Sequence, residues 1–156
     1  MTPALAILVF LLLAAALVAL SVKRIPEGQV YTLRRLGRPA GTLTAGTHLI
    51  VPLVEHVAHK ISIAGYTLAV DEALADAPAT LHGRVWWQVL DPERADAVIE
   101  RADDLIRGRL RDAVEVAKTD PAADRRARNQ HIKQTLNGSL RERGVLVTRV
   151  ELDVAA

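Results

Sequence analysis

Five histidines, three serines and a few adjacent carboxylates are the side chains of this sequence able to do chemistry. His56 and His59 lie three apart with His48 nearby, a ligand grouping if the segment were helical, where positions i and i+3 share a face. The stretch around Val57-Ala58 is apolar and reads as extended, which sends the two rings to opposite faces. Only Glu55 lies close as an acidic ligand, and there is no cysteine. Surface histidines, rather than a metal site, are therefore expected. A serine nucleophile is usually recognisable on a strained elbow such as Gly-x-Ser-x-Gly, and Ser21, Ser62 and Ser139 lack that setting. Asp71-Glu72 and Asp103-Asp104 are neighbours in sequence, so one member of each pair is expected to face solvent. Gly37, Gly41 and Gly46 precede no Gly-Lys-Ser/Thr, which excludes a phosphate loop of that kind. No enzyme, cofactor or small-molecule substrate is expected.

The remaining side chains of note are aromatic or basic. Trp86 and Trp87 sit in a Val-rich run, where strand alternation sends one ring to the core and the other outward. The outward ring is solvent-exposed unless a helix, a partner or a lipid surface covers it. Twenty basic and eighteen acidic residues leave a net charge of +2. With five aromatics and no long basic run interleaved with them, the chain does not read as nucleic-acid binding. The absence of cysteine removes disulfides, thiolate metal sites and lipidation at cysteine.

Elements that would position these residues follow from hydrophobic period. QVYTLRRLG reads as a strand ending at Gly37. RPAGTLTAGT, broken by Pro39, Gly41 and Gly46, reads as a loop or hairpin connection. HLIVPLVEHVAHKISI supplies two short apolar runs split by Pro52, and IAGYTLAVDE continues extended. ATLHGRVWWQVL is the strongest strand signal and stops at Asp91-Pro92. There the period changes. Asp91 caps a helix with Pro92 at its first position and Ala95, Val98 and Ala102 on one face. Ile106, Leu110, Ala113, Val114 and Ala117 make a second amphipathic helix. Asp120-Pro121 repeats the cap signal for a third, striped by Ile132, Leu136 and Leu140, interrupted at most by Gly138 and stopped by Gly144. VLVTRVELDV closes as a strand. Strands, then helices, then a strand define an α+β domain.

Ahead of this domain, residues 4–22 carry no charge and one polar side chain, Ser21, and twelve of them are Leu, Ile, Val or Phe. As a helix of about 1.5 Å per residue they nearly match a hydrocarbon core about 30 Å thick. A transmembrane helix is expected. A cleaved signal peptide is the rival, although Met-Thr-Pro offers no basic n-region and the apolar run exceeds a usual h-region. A buried core helix would need more protein around it than the chain supplies. Lys23 and Arg24 flank the segment, and Arg34, Arg35 and Arg38 follow within the range where basic residues set orientation. The rule places the N-terminus outside and the rest in the cytoplasm. These same five residues are the candidates for anionic-lipid contact.

IPEGQVYTLRRLGRPAGTLTAGTHLIVPLVEHVAHKISI resembles the opening of the SPFH (band 7) domain of stomatins, prohibitins and flotillins. The matching features are Pro26 and Gly28 after a membrane segment, Gly37 after a strand, Leu43…Gly46…His48, Pro52 and Val57…Lys60. VWWQVLDPERA is similar to the family's Val-x-Asp-Pro strand end, here Val89, Asp91 and Pro92, and RARNQHIKQTLNGSLRERGVLVTRVELD to its helix, Gly144 and last strand. Family members often carry an Asp-Gly turn before the Val-Trp-Trp strand, where this sequence has LAVDEALADAPATL. Relatives also continue into a charged coiled coil that builds rings, whereas this sequence stops at Ala156, as a short member would.

The expected organisation is a flank at 1–3, a transmembrane helix at 4–22, a juxtamembrane linker at 23–28 and one SPFH-like domain with an antiparallel sheet and packed helices at 29–154. The resemblance implies a non-catalytic, membrane-anchored scaffold that self-associates and organises membrane proteins of the protease or channel class. Trp86, Trp87, Arg107, Arg111, Arg125 and Arg128 are the candidates for partner contacts. A monomeric tethered adaptor and a periplasmic or secreted domain released by signal cleavage are the alternatives.

Overall fold

A computed structural model describes residues 3–73, 80–117 and 124–155. The apolar segment is one helix, α1 (Pro3–Ser21), with no buried residue. It is the one helix among the described residues long and apolar enough to cross a membrane. In chain order there follow β1 (Val22–Ile25), β2 (Gln29–Arg35), β3 (Arg38–Leu43), β4 (Gly46–Leu49), β5 (Glu55–Ser62), β6 (Tyr66–Ala73), β7 (Thr80–Val89), α2 (Pro92–Ala95), α3 (Ala102–Ala117), α4 (Arg125–Leu140) and β8 (Val145–Ala155). The chain divides into two compact units, Met1–Ile61 and Ser62–Ala156.

In the first unit β1 pairs antiparallel with β4 as a two-stranded ribbon, and β3, β2 and β5 form a sheet in that order. Ile25, Val30, Leu33, Ile50 and Ile61 are buried, as is the Thr32 side chain, whose Oγ1 accepts the His59 N–H at 3.0 Å. Two segments differ from expectation. Residues 23–28, read as a linker, begin as β1, because Lys23 and Arg24 find backbone partners opposite His48 and Thr47. RPAGTLTAGT, read as a connection, holds β3 and the start of β4. Pro39 is tolerated because β3 is an edge strand whose register with β2 slips between Leu33 and Arg34, a place where a missing N–H does no harm.

In the second unit β6, β7 and β8 form an antiparallel sheet with β7 in the centre. Leu68, Val70, Leu81, Val85, Trp87, Val89, Val147 and Leu152 are buried on it. The expected stripes are buried at Ile106, Leu110, Ala113 and Val114 on α3 and at Ile132, Leu136 and Leu140 on α4, the side chain of Ala117 lying outside what is described. Gly138 does not interrupt α4. Asp91 caps α2 as read, its Oδ1 accepting from the Glu93 and Arg94 N–H groups at 3.0 and 3.3 Å, with Pro92 at the first position. That helix is only one turn long. A 3₁₀ turn at Ile99–Arg101 leads into α3, so Ala95, Val98 and Ala102 do not share one helix. Asp120-Pro121 lies outside the described residues. Gly144 ends the 3₁₀ turn after α4 in the left-handed region at φ +74°.

Candidate functional site

The three serines are all engaged with nearby backbone. Ser21 Oγ donates to Leu17 O at 2.8 Å, Ser139 Oγ to Leu136 O at 3.1 Å, and Ser62 Oγ accepts the Ala64 N–H at 3.3 Å. His56 and His59 lie on β5, as the extended reading required. His48 Nε2 is 2.8 Å from Thr44 O, and His82 Nδ1 is 3.1 Å from its cross-strand neighbour Asp71. No group of three or more metal-binding side chains occurs among the described residues.

In the first unit the basic residues divide by role. Lys23, Arg24 and Arg38 are exposed. Arg35 pairs with Glu55, its Nε donating to Oε1 at 3.0 Å, and the other Glu55 oxygen accepts the Val51 N–H at 3.1 Å. The Arg35 hydrogen bond, then that from Val51, holds the Glu55 carboxyl below its ordinary value. Arg34 is half-buried. Alongside the cations lie exposed apolar side chains that sequence reasoning did not single out: Val22, Leu36, Leu49, Val51 and Leu53. For Leu49, Val51 and Leu53 the signal was available in the run HLIVPLVEH, which is more apolar than a surface turn requires.

In the second unit the two tryptophans separate as alternation requires. Trp87, proposed with Trp86 as partner-facing, is core instead: it is buried, its ring stacks on Tyr66 at 4.3 Å, and its Nε1 donates to Asp103 Oδ1 at 3.2 Å. Trp86 is half-buried beneath the Arg149 guanidinium, 5.3 Å from the ring centroid. Arg107 and Arg111 converge on one carboxylate. Arg107 reaches Glu72 Oε1 at 3.3 Å and Ala69 O at 2.9 Å, and Arg111 Nε donates to Glu72 Oε2 at 2.6 Å. Arg111 first, and then Arg107, hold the Glu72 carboxyl below its ordinary value against the opposing effect of burial. These two arginines tie α3 to β6.

Arg125 lies on α4 and pairs with Asp153 of β8 at 3.2 Å, while Arg128 is half-buried on the same helix. Between α4 and β8 runs a groove of about 430 Å³ lined by Arg125, Arg126, Gln130 and Lys133 on the helix and Arg149 and Glu151 on the strand. Asn137 and Asn129 hold the helix along β8. Asn137 both donates to Val147 O (2.9 Å) and accepts from its N–H (2.8 Å), and Asn129 donates to Leu152 O (3.3 Å). Arg126 was expected to make contacts as part of the arginine-rich face of its helix, whereas Lys133 and Arg149 were not, because only the α4–β8 packing brings them to it.

An apolar helix leading into the strands β1–β5 of the first unit, followed by a second unit of three strands with packed helices, is the arrangement that a family model matches. The model of the SPFH domain / band 7 family matches residues 23–155. An uncharacterised protein of Schizosaccharomyces pombe is 25% identical over 140 residues, which cover 84% of this chain. The chain spans 40% of that relative's length. Family members are in general membrane-associated, non-catalytic scaffolds, and with nearly the whole length beyond α1 matched, this chain belongs to the SPFH domain / band 7 family.

Proposed function

We propose that the protein is a non-catalytic, single-pass membrane scaffold that self-associates beside the bilayer and organises membrane proteins, proteases or channels among them. The observation that carries the reading is the direct joining of α1 to the family's domain. The helix ends at Ser21, β1 begins at Val22, and Ser21 O accepts the Ile50 N–H at 2.8 Å. A cleavable leader gains nothing from a hydrogen bond to the folded domain; an anchor gains orientation. Lys23 and Arg24 at the helix end, with no basic side chain before it, support an outside N-terminus and a cytoplasmic domain.

The surface best suited to self-association is the α4–β8 groove. It offers Arg126 and Lys133, which make no ion pair among the described residues, and a second copy offers exposed acids on α3, Asp104 and Asp112. Cross-linking in intact native membranes, followed by mass analysis of the solubilised species, tests the reading. A regular ladder of the full-length 16.9 kDa chain is expected. A lone full-length species would favour a tethered adaptor, and a shortened mass would mean signal cleavage.

A further inference from the structure

The α4–β8 groove holds two cations and one amide oxygen that the fold leaves unanswered. Arg126, Asn129, Gln130 and Lys133 are spaced i, i+3, i+4 and i+7, so they share one face of α4, and all four line the groove. Across from them on β8, Glu151 accepts from Arg149, and Asp153, farther along the strand, takes Arg125 at 3.2 Å. Both acids are thus neutralised by arginines of their own. Arg126 and Lys133 make no ion pair among the described residues, so the groove keeps their positive charge. α4 also starts here, and the Asp124 side chain makes no capping hydrogen bond, so the positive end of the helix dipole adds to the same field.

The amide oxygen belongs to Asn129. Farther along α4, Asn137 uses both ends of its amide on one β8 residue, donating to Val147 O and accepting the Val147 N–H. Asn129 completes only half of such a clamp. Its Nδ2 donates to Leu152 O at 3.3 Å, which fixes the amide with Oδ1 on the other side, and Oδ1 is buried with no partner. A buried acceptor without a donor is rare and costly.

The cations call for an anion, and the oxygen calls for a hydrogen-bond donor on the same molecule. The acids on α3 of a second copy supply charge but no donor, because backbone N–H groups inside a helix are already bonded. A phosphate ester with a free hydroxyl supplies both, and a groove of about 430 Å³ lies in the size range of small-molecule sites. We propose that the α4–β8 groove binds a hydroxyl-bearing phosphate ester, its phosphate on Arg126 and Lys133 and a hydroxyl donating to Asn129 Oδ1. Soluble sugar phosphates and phosphorylated lipid headgroups share this chemistry. The inference stands apart from self-association, although ligand and second copy seek the same cations and so exclude each other.

Calorimetric titration of the full chain in phosphatidylcholine nanodiscs compares two probes. Inositol trisphosphate keeps free hydroxyls, whereas inositol hexakisphosphate has none. Arg126→Gln with Lys133→Gln should weaken both by about tenfold or more, since charge-assisted bonds are lost. Asn129→Ala should weaken the trisphosphate roughly fivefold and leave the hexakisphosphate within about twofold. Equal effects of Asn129→Ala on the two probes, or trisphosphate binding indifferent to the charge pair, overturn the site. If Asn129→Ala fails to fold, the charge pair decides, since neither of its side chains is buried. A glutamate-rich peptide that binds where the trisphosphate does not would also overturn it, in favour of an acidic protein segment. Nanodiscs carrying phosphatidylinositol bisphosphate separate the two sources: a trisphosphate isotherm suppressed by that lipid places the phosphate on a headgroup, and an unchanged one makes the ligand soluble. Trisphosphate binding in a wild type that gives no cross-linked ladder keeps this site and removes self-association.

Discussion

Glu72 accepts from two arginines on α3 while its side chain is only 15% exposed, so its charge is stabilised in the folded state and its carboxyl is held low. The sign of the linkage follows. A carboxylate whose folded value is depressed contributes stability above its unfolded value, near pH 4.5, and that contribution fades as pH falls through the folded value. Arg111 is 71% exposed, so solvent screening limits the pair. Glu72→Gln is expected to cost about 1 kcal/mol at pH 7, read as a lowered Tm of the detergent-solubilised chain. The gap to the wild type should close as the pH is lowered past the carboxylate range; a gap unchanged there would show that packing, not charge, is at work. Leu36, at φ +50°, makes the opposite case. Asn is at ease in the left-handed region, where leucine is strained by about 1 kcal/mol. Leu36→Asn should therefore raise Tm in detergent by the equivalent of roughly 0.5–1 kcal/mol. A fall in Tm would mean that the leucine side chain has a packing role within the first unit.

Gly144 sits where the turn after α4, β8 and the α2 cap meet. It ends the turn after α4 at φ +74°, its carbonyl accepts from the Leu90 and Asp91 N–H groups at 2.8 and 3.2 Å, and an added Cβ would meet Asp91 O at 2.3 Å. Because that neighbour is backbone next to the α2 cap, it cannot swing aside. Gly144→Ala should therefore destabilise by about 3 kcal/mol or more, seen in chemical unfolding or as loss of soluble expression; a change below about 1 kcal/mol would show that the turn relaxes freely. This glycine was legible in sequence as a helix stop, as were the Asp91-Pro92 cap and the α3 and α4 stripes, because caps and 3.6-residue periods are local signals. β3 was not, since Pro39 is a breaker unless the strand is an edge with a slipped register, and register is set by a partner strand distant in sequence. The short α2 escaped for a related reason: Ala95, Val98 and Ala102 satisfy a helical period even where the backbone turns between them. The candidate contact residues divided in the same way. Strand alternation separated Trp86 from Trp87, but nothing local announced that Arg107 and Arg111 meet at Glu72, or that Arg126 and Arg149 share a groove.

For the whole molecule the question is what one anchored copy does to the next. A basic groove on one copy meeting the exposed carboxylates of α3 on another is a heterologous contact, and such contacts close into rings or run on as filaments instead of stopping at a dimer. The proposed anchoring would strengthen this tendency, since copies confined to one membrane plane meet at high effective concentration and a weak contact suffices. The contact proposed between the α4–β8 groove and α3 is electrostatic, so the cross-linked ladder should shorten as ionic strength rises past the range where the screening length falls to about 8 Å. Arg126→Glu with Lys133→Glu should shorten it at all salt concentrations while leaving stability within about 0.5 kcal/mol, because neither side chain is buried and neither makes an ion pair among the described residues. The decisive arm mixes two variants. A copy with Asp104→Lys and Asp112→Lys also loses its ladder alone, but co-expressed with the groove-reversed copy it offers a basic helix to the acidic groove and a basic groove to the acidic helix, restoring a ladder of alternating copies. A ladder regained only in the mixture is what a directional groove-to-helix contact requires. A ladder untouched by either charge reversal would place self-association on another surface, and no ladder in the wild type would leave the protein as a tethered adaptor.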